Sequence, residues 1–159
     1  MQQLNLPPCR LTIKNEPQNK YIFDIIRKKY LVLTPEEWVR QHFVHFLINY
    51  KNFPQSLMRT ENGLKLFNTI KRSDIVVYNR DAKAMVVVEC KAPEVKISQD
   101  TFDQIARYNI HFNAPFLIVT NGLDTYCVKK NFSTGSYEFL SGIPNFNDII
   151  NYENNFSNK

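Results

Sequence analysis

Two apolar, β-branched runs carry charge where an interior strand should have none. They are Ser73-Asp74-Ile75-Val76-Val77-Tyr78 and Met85-Val86-Val87-Val88-Glu89-Cys90-Lys91. Their composition suits strands. The polar connection Asn79–Lys83 is short enough for a hairpin. If Tyr78 pairs with Met85 around a loop of about six residues, Val76 lies opposite Val87 and Asp74 opposite Glu89. Opposed side chains in antiparallel strands have Cβ atoms roughly 5 Å apart. Two carboxylates at that spacing repel unless they share a cation, and one then tends to keep its proton. Strand alternation puts Glu89 and Lys91 on one face and Cys90 on the other. A register slip of one residue would destroy the arrangement.

Paired carboxylate oxygens suit a hard ion such as Mg²⁺, with Mn²⁺ as a substitute, because Mg²⁺ keeps several waters and takes one or two protein carboxylates. The backbone carbonyl of Val88 or Cys90 is an additional donor. A nearby ammonium, Lys91, can assist an attacking water or offset charge building on a phosphate. The chemistry implied is metal-assisted phosphodiester hydrolysis. The plainer alternative is an ordinary hairpin in which Asp74 caps a strand and Glu89 and Lys91 form an exposed pair.

An Asp, a hairpin and then Glu-x-Lys resemble the PD-(D/E)xK nuclease superfamily. Lys71–Tyr78, Val88–Pro93, Phe102–Asn109 and Val119–Gly122 follow in that order. Together they resemble the N-terminal nuclease domain of type I restriction enzyme R subunits and small bacterial proteins built from that domain alone. The similarity covers about residues 34–128, and a looser likeness reaches Ile22. The "PD" position reads Ser73-Asp74 here. The resemblance implies an α/β restriction-endonuclease-like core: a three-strand meander, then a crossover helix and a parallel strand, in a central mixed sheet flanked by helices. It also implies a role for Gln104 and Tyr108, a Gln-x₃-Tyr pair on one helical face, in holding the metal site or the DNA backbone. The first helix in this superfamily often supplies a further acid. Glu36 shares a face with Val39, Phe43 and Leu47, and its alternative is an i+4 pair with Arg40. Glu37, in the capping position, and Glu61 are the other candidates.

Size, charge and cysteines frame this reading. One hundred fifty-nine residues with twelve Phe and eight Tyr suit one domain with a real core. Net charge +5 favours a polyanionic partner. Most cations read as solvated surface, but Lys71 and Arg72 abut Asp74, where a phosphate would lie. Cys9, Cys90 and Cys127 are odd in number, widely spaced and without zinc spacing. They read as reduced thiols of a cytoplasmic protein. No apolar run reaches membrane-spanning length, so no membrane partner is expected.

Along the chain, residues 1–20 read as an extended arm with one strand near Leu11–Lys14, and Tyr21–Val32 is left unassigned. Thr34-Pro35-Glu36-Glu37 is a helix start. That helix is predicted to run to about Tyr50, with Val39, Phe43, Phe46, Leu47 and Tyr50 inward. Leu64–Ile70, Ser73–Asn79 and Ala84–Lys91 are the predicted meander. A helix over Ser98–Phe112, with Phe102, Ile105, Ala106 and Phe112 inward, leads to a parallel strand at Pro115–Thr120. Asp124–Lys130, an edge strand at Ser136–Leu140, a helix at Asn145–Tyr152 and a frayed 153–159 complete a single domain. His42 and His45, three apart without a third ligand, read as solvent or packing histidines.

Two functional classes follow. One is a Mg²⁺-dependent endonuclease acting on DNA, with RNA as an open alternative substrate. Asp74 and Glu89 would bind metal, Lys91 would assist water, and Lys71, Arg72, Gln104 and Tyr108 would position phosphate. A homodimer or restriction-system subunits are its candidate partners. The other is a non-catalytic nucleic-acid-binding or assembly module on the same fold. Opposed carboxylates facing an anionic backbone would weaken such a module's binding. The chain contains no Gly-x₄-Gly-Lys-Ser/Thr phosphate loop and so is not a full motor subunit.

Overall fold

The computed structural model describes residues 1–60, 64–66, 69–71 and 74–154, with the backbone alone for 64–66, 69–71 and 153–154. Its centre is a six-stranded mixed sheet. In chain order these strands are β4 (Met58–Arg59), β7 (Ile75–Tyr78), β8 (Ala84–Cys90), β9 (Phe116–Thr120), β10 (Thr125–Lys130) and β11 (Tyr137–Leu140). Their spatial order is β11-β10-β9-β8-β7-β4. β9 runs parallel to β8 after the crossover helix α2 (Gln99–Phe112), while β7 and β10 are antiparallel to their neighbours. This is the α/β arrangement expected from the sequence.

The sheet is covered on both faces, which is why its central strands are continuous apolar runs rather than alternating ones. Ile75, Val77, Val86, Val88, Cys90 and Ile118 pack with Val39, Phe43 and Leu47 of α1 (Pro35–Lys51). Val76, Val87, Leu117 and Val119 pack on the other face with Ile105 of α2. The last helix, α3 (Phe146–Asn154), joins the α1 side through Ile149 and a tilted ring contact between Phe53 and Phe146.

Helix ends follow local chemistry. Thr34 Oγ1 accepts the Glu37 amide at 3.0 Å and Pro35 opens α1. Asn52 closes it in the left-handed region at φ 59°. The expected inward stripe holds at Val39, Phe43 and Leu47, and Phe46 is half-buried. Tyr50 is exposed instead, stacked on Phe46. Polar Arg40 and Gln41 are buried in the helix where apolar residues would be usual.

Two expectations change at the first meander strand and the amino-terminal segment. Met58–Arg59, not Leu64–Ile70, is the strand beside β7, while β5 (Leu64–Leu66) and β6 (Thr69–Lys71) form a separate two-stranded hairpin. The segment has strand composition, but its described parts, Leu64–Leu66 and Thr69–Lys71, pair with each other. The unassigned Tyr21–Val32 and part of the supposed arm make a three-stranded antiparallel sheet, β1 (Ile13–Asn15), β2 (Lys20–Asp24) and β3 (Lys29–Val32). Ahead of it, Leu4 is buried beside Gly122, and the Asn5 amide donates to the Gly122 carbonyl at 2.7 Å. Gly122 sits at φ +81°, and a Cβ there would come within 2.8 Å of Leu4 Cδ2. Among the described residues no helix is long and apolar enough to cross a membrane.

The small sheet is fastened to α1 by a buried charge network. Asp24 is fully buried; its Oδ1 accepts the Ile26 and Arg27 amides, and its Oδ2 accepts Arg40 Nη2 at 2.7 Å. Arg40 also pairs with Glu37, whose Oε1 accepts Gln41 Nε2 at 2.8 Å. The Glu37 side chain therefore serves this network, and the Glu36–Arg40 pair, the alternative to a site role for Glu36, does not form because Arg40 is taken by Asp24 and Glu37. Removing one member of a buried pair strands the other's charge, typically at about 3–5 kcal/mol. Asp24→Ala is expected to lower unfolding free energy by about 3 kcal/mol in urea melts, near the bottom of that range because Glu37 still faces Arg40.

Candidate active site

The register places the acids as the charge pattern demands. Val76 pairs with Val87 and Ile75 with Val88. The Asp74 amide donates to the Val88 carbonyl at 3.2 Å, which continues the ladder to Asp74 beside Glu89. Only the far end departs from expectation: a bulge after Val77 puts Tyr78 opposite Ala84 rather than Met85. A bulge adds a residue to one strand and shifts pairing beyond it, so the carboxylate end is untouched. By alternation Asp74, Val76, Val87 and Glu89 share the sheet face covered by α2.

The local environment is dry. Glu89 is 5% exposed. Its Oε1 accepts Lys91 Nζ at 2.7 Å, while its Oε2 is buried without a hydrogen-bond partner. Asp74 Oδ2 accepts the Cys90 amide at 2.5 Å. Desolvation, and then the Glu89 charge, push the Asp74 carboxyl up to about 8. Desolvation also raises Glu89 against the lowering effect of Lys91. Burial tends to lower Lys91, but its hydrogen bond and charge contact with Glu89 outweigh that and hold the ammonium above its usual range. Cys90, fully buried and beside Asp74, is raised well above an ordinary thiol, so it is no nucleophile at neutral pH.

Glu36, exposed in the first turn of α1, lies close enough for its charge to raise Asp74, Glu89 and Lys91. The structure thus brings four of the sequence-selected residues, Glu36, Asp74, Glu89 and Lys91, into one electrostatic unit. Gln104 Nε2 donates to Tyr108 Oη at 3.0 Å, and both are half-buried on α2. Their helix covers the face that holds Glu89, with Ile105 between them filling the core and Phe102 packed beside it. The side chain of Lys71 and all of Arg72 and Glu61 lie outside the described residues. His42 is a packing histidine: its Nδ1 contacts the Trp38 carbonyl at 2.8 Å and its ring meets the Trp38 indole edge-on.

Sequence reasoning missed Arg40. Its Nη1 is buried without a partner, and its charge reaches Asp74 and lowers it. The signal was faint: an arginine beside Val39 on the inward half of a helix, with its acidic partner sixteen residues upstream in an unassigned segment.

The donor set fits a divalent cation. Both acids offer hard oxygens, one of them orphaned, and a cation would offset the desolvation and the Glu89 repulsion that together hold a proton on Asp74. Among the described residues no cluster of three or more His, Cys, Asp and Glu forms a complete protein cage. Two carboxylates with water completing the shell is a usual Mg²⁺ arrangement.

Residues 35–144 match the family described as type I restriction enzyme R protein N terminus. The chain belongs to this family. Among solved structures it is similar to a fragment of a protein assigned as an HsdR subunit of a type I restriction enzyme from Vibrio vulnificus YJ016, at 23% identity and a TM-score of 0.41. That match covers 58% of this chain and 18% of the other, so the chain spans a small part of that fragment's length. No curated protein matches it. The restriction R-subunit amino-terminal domain is thus the frame in which the carboxylate site is to be read.

The raised acids give a pH dependence of defined sign. Between about pH 4 and pH 8 the native Asp74 holds a proton that the unfolded chain has lost. Metal-free stability contributed by this group should therefore fall as pH rises across that window. Asp74→Asn is expected to flatten this slope and raise the metal-free Tm at pH 8. Roughly 2–4 °C per kcal/mol of relieved strain is expected for a chain of this size. Thermal melts of both proteins in EDTA across the window are the check.

Proposed function

We propose that the chain is a metal-dependent endonuclease domain that hydrolyses DNA phosphodiester bonds, with Mg²⁺ as its natural ion and Mn²⁺ able to replace it. The observation that carries this reading is the register-opposed Asp74–Glu89 pair, desolvated and with one carboxylate oxygen unpartnered, beside the Lys91 ammonium. A purely structural hairpin has no use for a half-buried acid opposite a buried one. The family match supplies the restriction context.

Asp74 and Glu89 would hold the ion. A bound divalent cation would polarise the phosphoryl oxygen and make a coordinated water more acidic. Asp74 is oriented by the Cys90 amide, which leaves its other oxygen, Oδ1, for a ligand. Lys91, fixed 2.7 Å from Glu89 Oε1, keeps its charge at neutral pH and can orient the attacking water or balance charge on the phosphate. Glu36 would act from α1 on the same water or ion shell. Gln104 and Tyr108, joined as one unit, would position the DNA backbone, with Lys71 and Arg72 adding cationic contacts. Free thiols and DNA as substrate fit the cytoplasm, and R-subunit likeness fits assembly with other restriction-system subunits or a second copy.

Asp74→Ala and Lys91→Ala are each expected to lower Mg²⁺-dependent cleavage of plasmid and single-stranded DNA by at least about 10²-fold, the scale of losing a general acid–base or electrostatic group. Glu36→Gln is expected to lower it less. Mg²⁺ should stabilise wild type by the mass-action term, about 2.7 kcal/mol at a hundredfold excess over Kd, seen as a raised Tm, and should have little effect on Asp74→Ala. Cleavage in Asp74→Ala equal to wild type, or DNA affinity with no response to Mg²⁺, would favour a binding module instead.

A further inference from the structure

We propose that the end of the sheet remote from the carboxylates carries a separate site for a nucleotide unit, its phosphate held by Arg59, Arg80 and Lys83 and its base lying against Phe112 and Phe132. Glu89 lies at the carboxylate end of β8 and Ala84 at its loop end. They are five residues apart along β8, about 17 Å in extended chain. At the Ala84 end two clefts open, one of about 510 Å³ and one of about 450 Å³. Both are lined by Tyr78 and Ala82, so the β7–β8 loop forms their common wall. Each is within the usual size range of small-ligand sites, roughly 300–1,000 Å³.

Their charge is one-sided. Arg59 and Arg80 line the smaller cleft and Lys83 the larger, with no Asp or Glu among the described lining residues of either. In a chain with fifteen acidic residues this segregation marks a surface suited to an anion. The one acid of the loop, Asp81, is exposed outside both linings. Arg59 is anchored, its Nη1 donating to the Ser56 and Met58 carbonyls at 2.8 and 2.7 Å. The loop is shaped in advance: Asn79 is buried and its Oδ1 accepts the Asp81 and Lys83 amides at 2.9 Å each, with Ala82 held at φ 59°. A cationic rim that is already ordered loses little freedom on binding a phosphate.

The larger cleft adds aromatic walls. Phe112 and Phe132 line it, and Phe132 is 44% exposed. Cations beside accessible rings are the combination that single nucleotides and single strands use, because every base has a face to stack. The ligand has two sources, a free nucleotide or a nucleotide unit of a nucleic-acid strand. The site stands on its own residues and does not depend on the carboxylates being catalytic.

The test uses the full chain in EDTA, with fluorescein-labelled single-stranded oligodeoxythymidylate and a labelled adenine nucleotide as probes, read by anisotropy. Wild type is expected to bind at least one probe. The double variant Arg80→Glu/Lys83→Glu, both on an exposed loop and so expected to melt like wild type, should weaken that binding by about tenfold or more. Its salt slope with the oligonucleotide should shrink by about 1.4, two contacts at roughly 0.7 each. Phe132→Ala should weaken binding with the slope unchanged. Binding of the adenine nucleotide marks a free-nucleotide site, and binding of the oligonucleotide alone marks a strand site. If wild type binds neither probe, or the double variant binds both as wild type does, the proposal is overturned, whatever the cleavage assays give.

Discussion

The structure turns on a single cross-strand register. Val76 opposite Val87 carries Asp74 to Glu89, and among the described residues of this hairpin those acids are compensated by Lys91 and the Cys90 amide. A slip of one residue would send the valines of both strands to the wrong faces. Because both sheet faces are buried, under α1 on one side and α2 on the other, such a slip would meet apolar side chains with nowhere to go. The same packing that forms the core therefore fixes the acids against one another. The bulge after Val77 shows the tolerance of this arrangement: it absorbs a mismatch at the loop end and leaves the carboxylate end in phase.

Around that register the protein places charge in a graded way. Glu89 and Asp74 are the deepest and are raised in pKa, Lys91 is half-buried and stays cationic, and Glu36 approaches from the exposed first turn of α1. Behind them Arg40, tied to Asp24 and Glu37, contributes a positive field that opposes the mutual repulsion of the acids. The amino-terminal sheet is therefore more than a cover. Through Asp24 it holds the arginine whose charge reaches the site. Burial of an ion pair is seldom a gain in stability over apolar packing, so an electrostatic role for the network is the more economical account of its presence.

Much of this was legible in the chain itself. Thr34-Pro35 announced α1 and the apolar spacing of 98–112 announced α2, because capping and 3.6-residue periodicity are local properties. β8 and β9 were legible as buried strands, and their parallel relation followed from an intervening helix. Asp74, Glu89 and Lys91 stood out because charge inside a β-branched run violates the usual pattern, and the arithmetic of a hairpin converts that violation into proximity. Composition could not tell which segment fills the place beside β7. Leu64–Ile70 looks more like a strand than Met58–Arg59 does, yet Leu64–Leu66 pairs with Thr69–Lys71 and not with β7.

Sequence alone determined the alternation that puts two acids on one face, the helices that flank them and the family to which residues 35–144 belong. Each rests on short-range spacing or on a motif series, which a linear chain carries whole. Only the tertiary structure decided which remote groups meet. The Asp24–Arg40 bond, Leu4 beneath Gly122, Glu36 within reach of Asp74 and the paired clefts beside the β7–β8 loop join segments distant along the chain. Those meetings are set by how the layers pack in three dimensions, and no periodicity along the sequence encodes them.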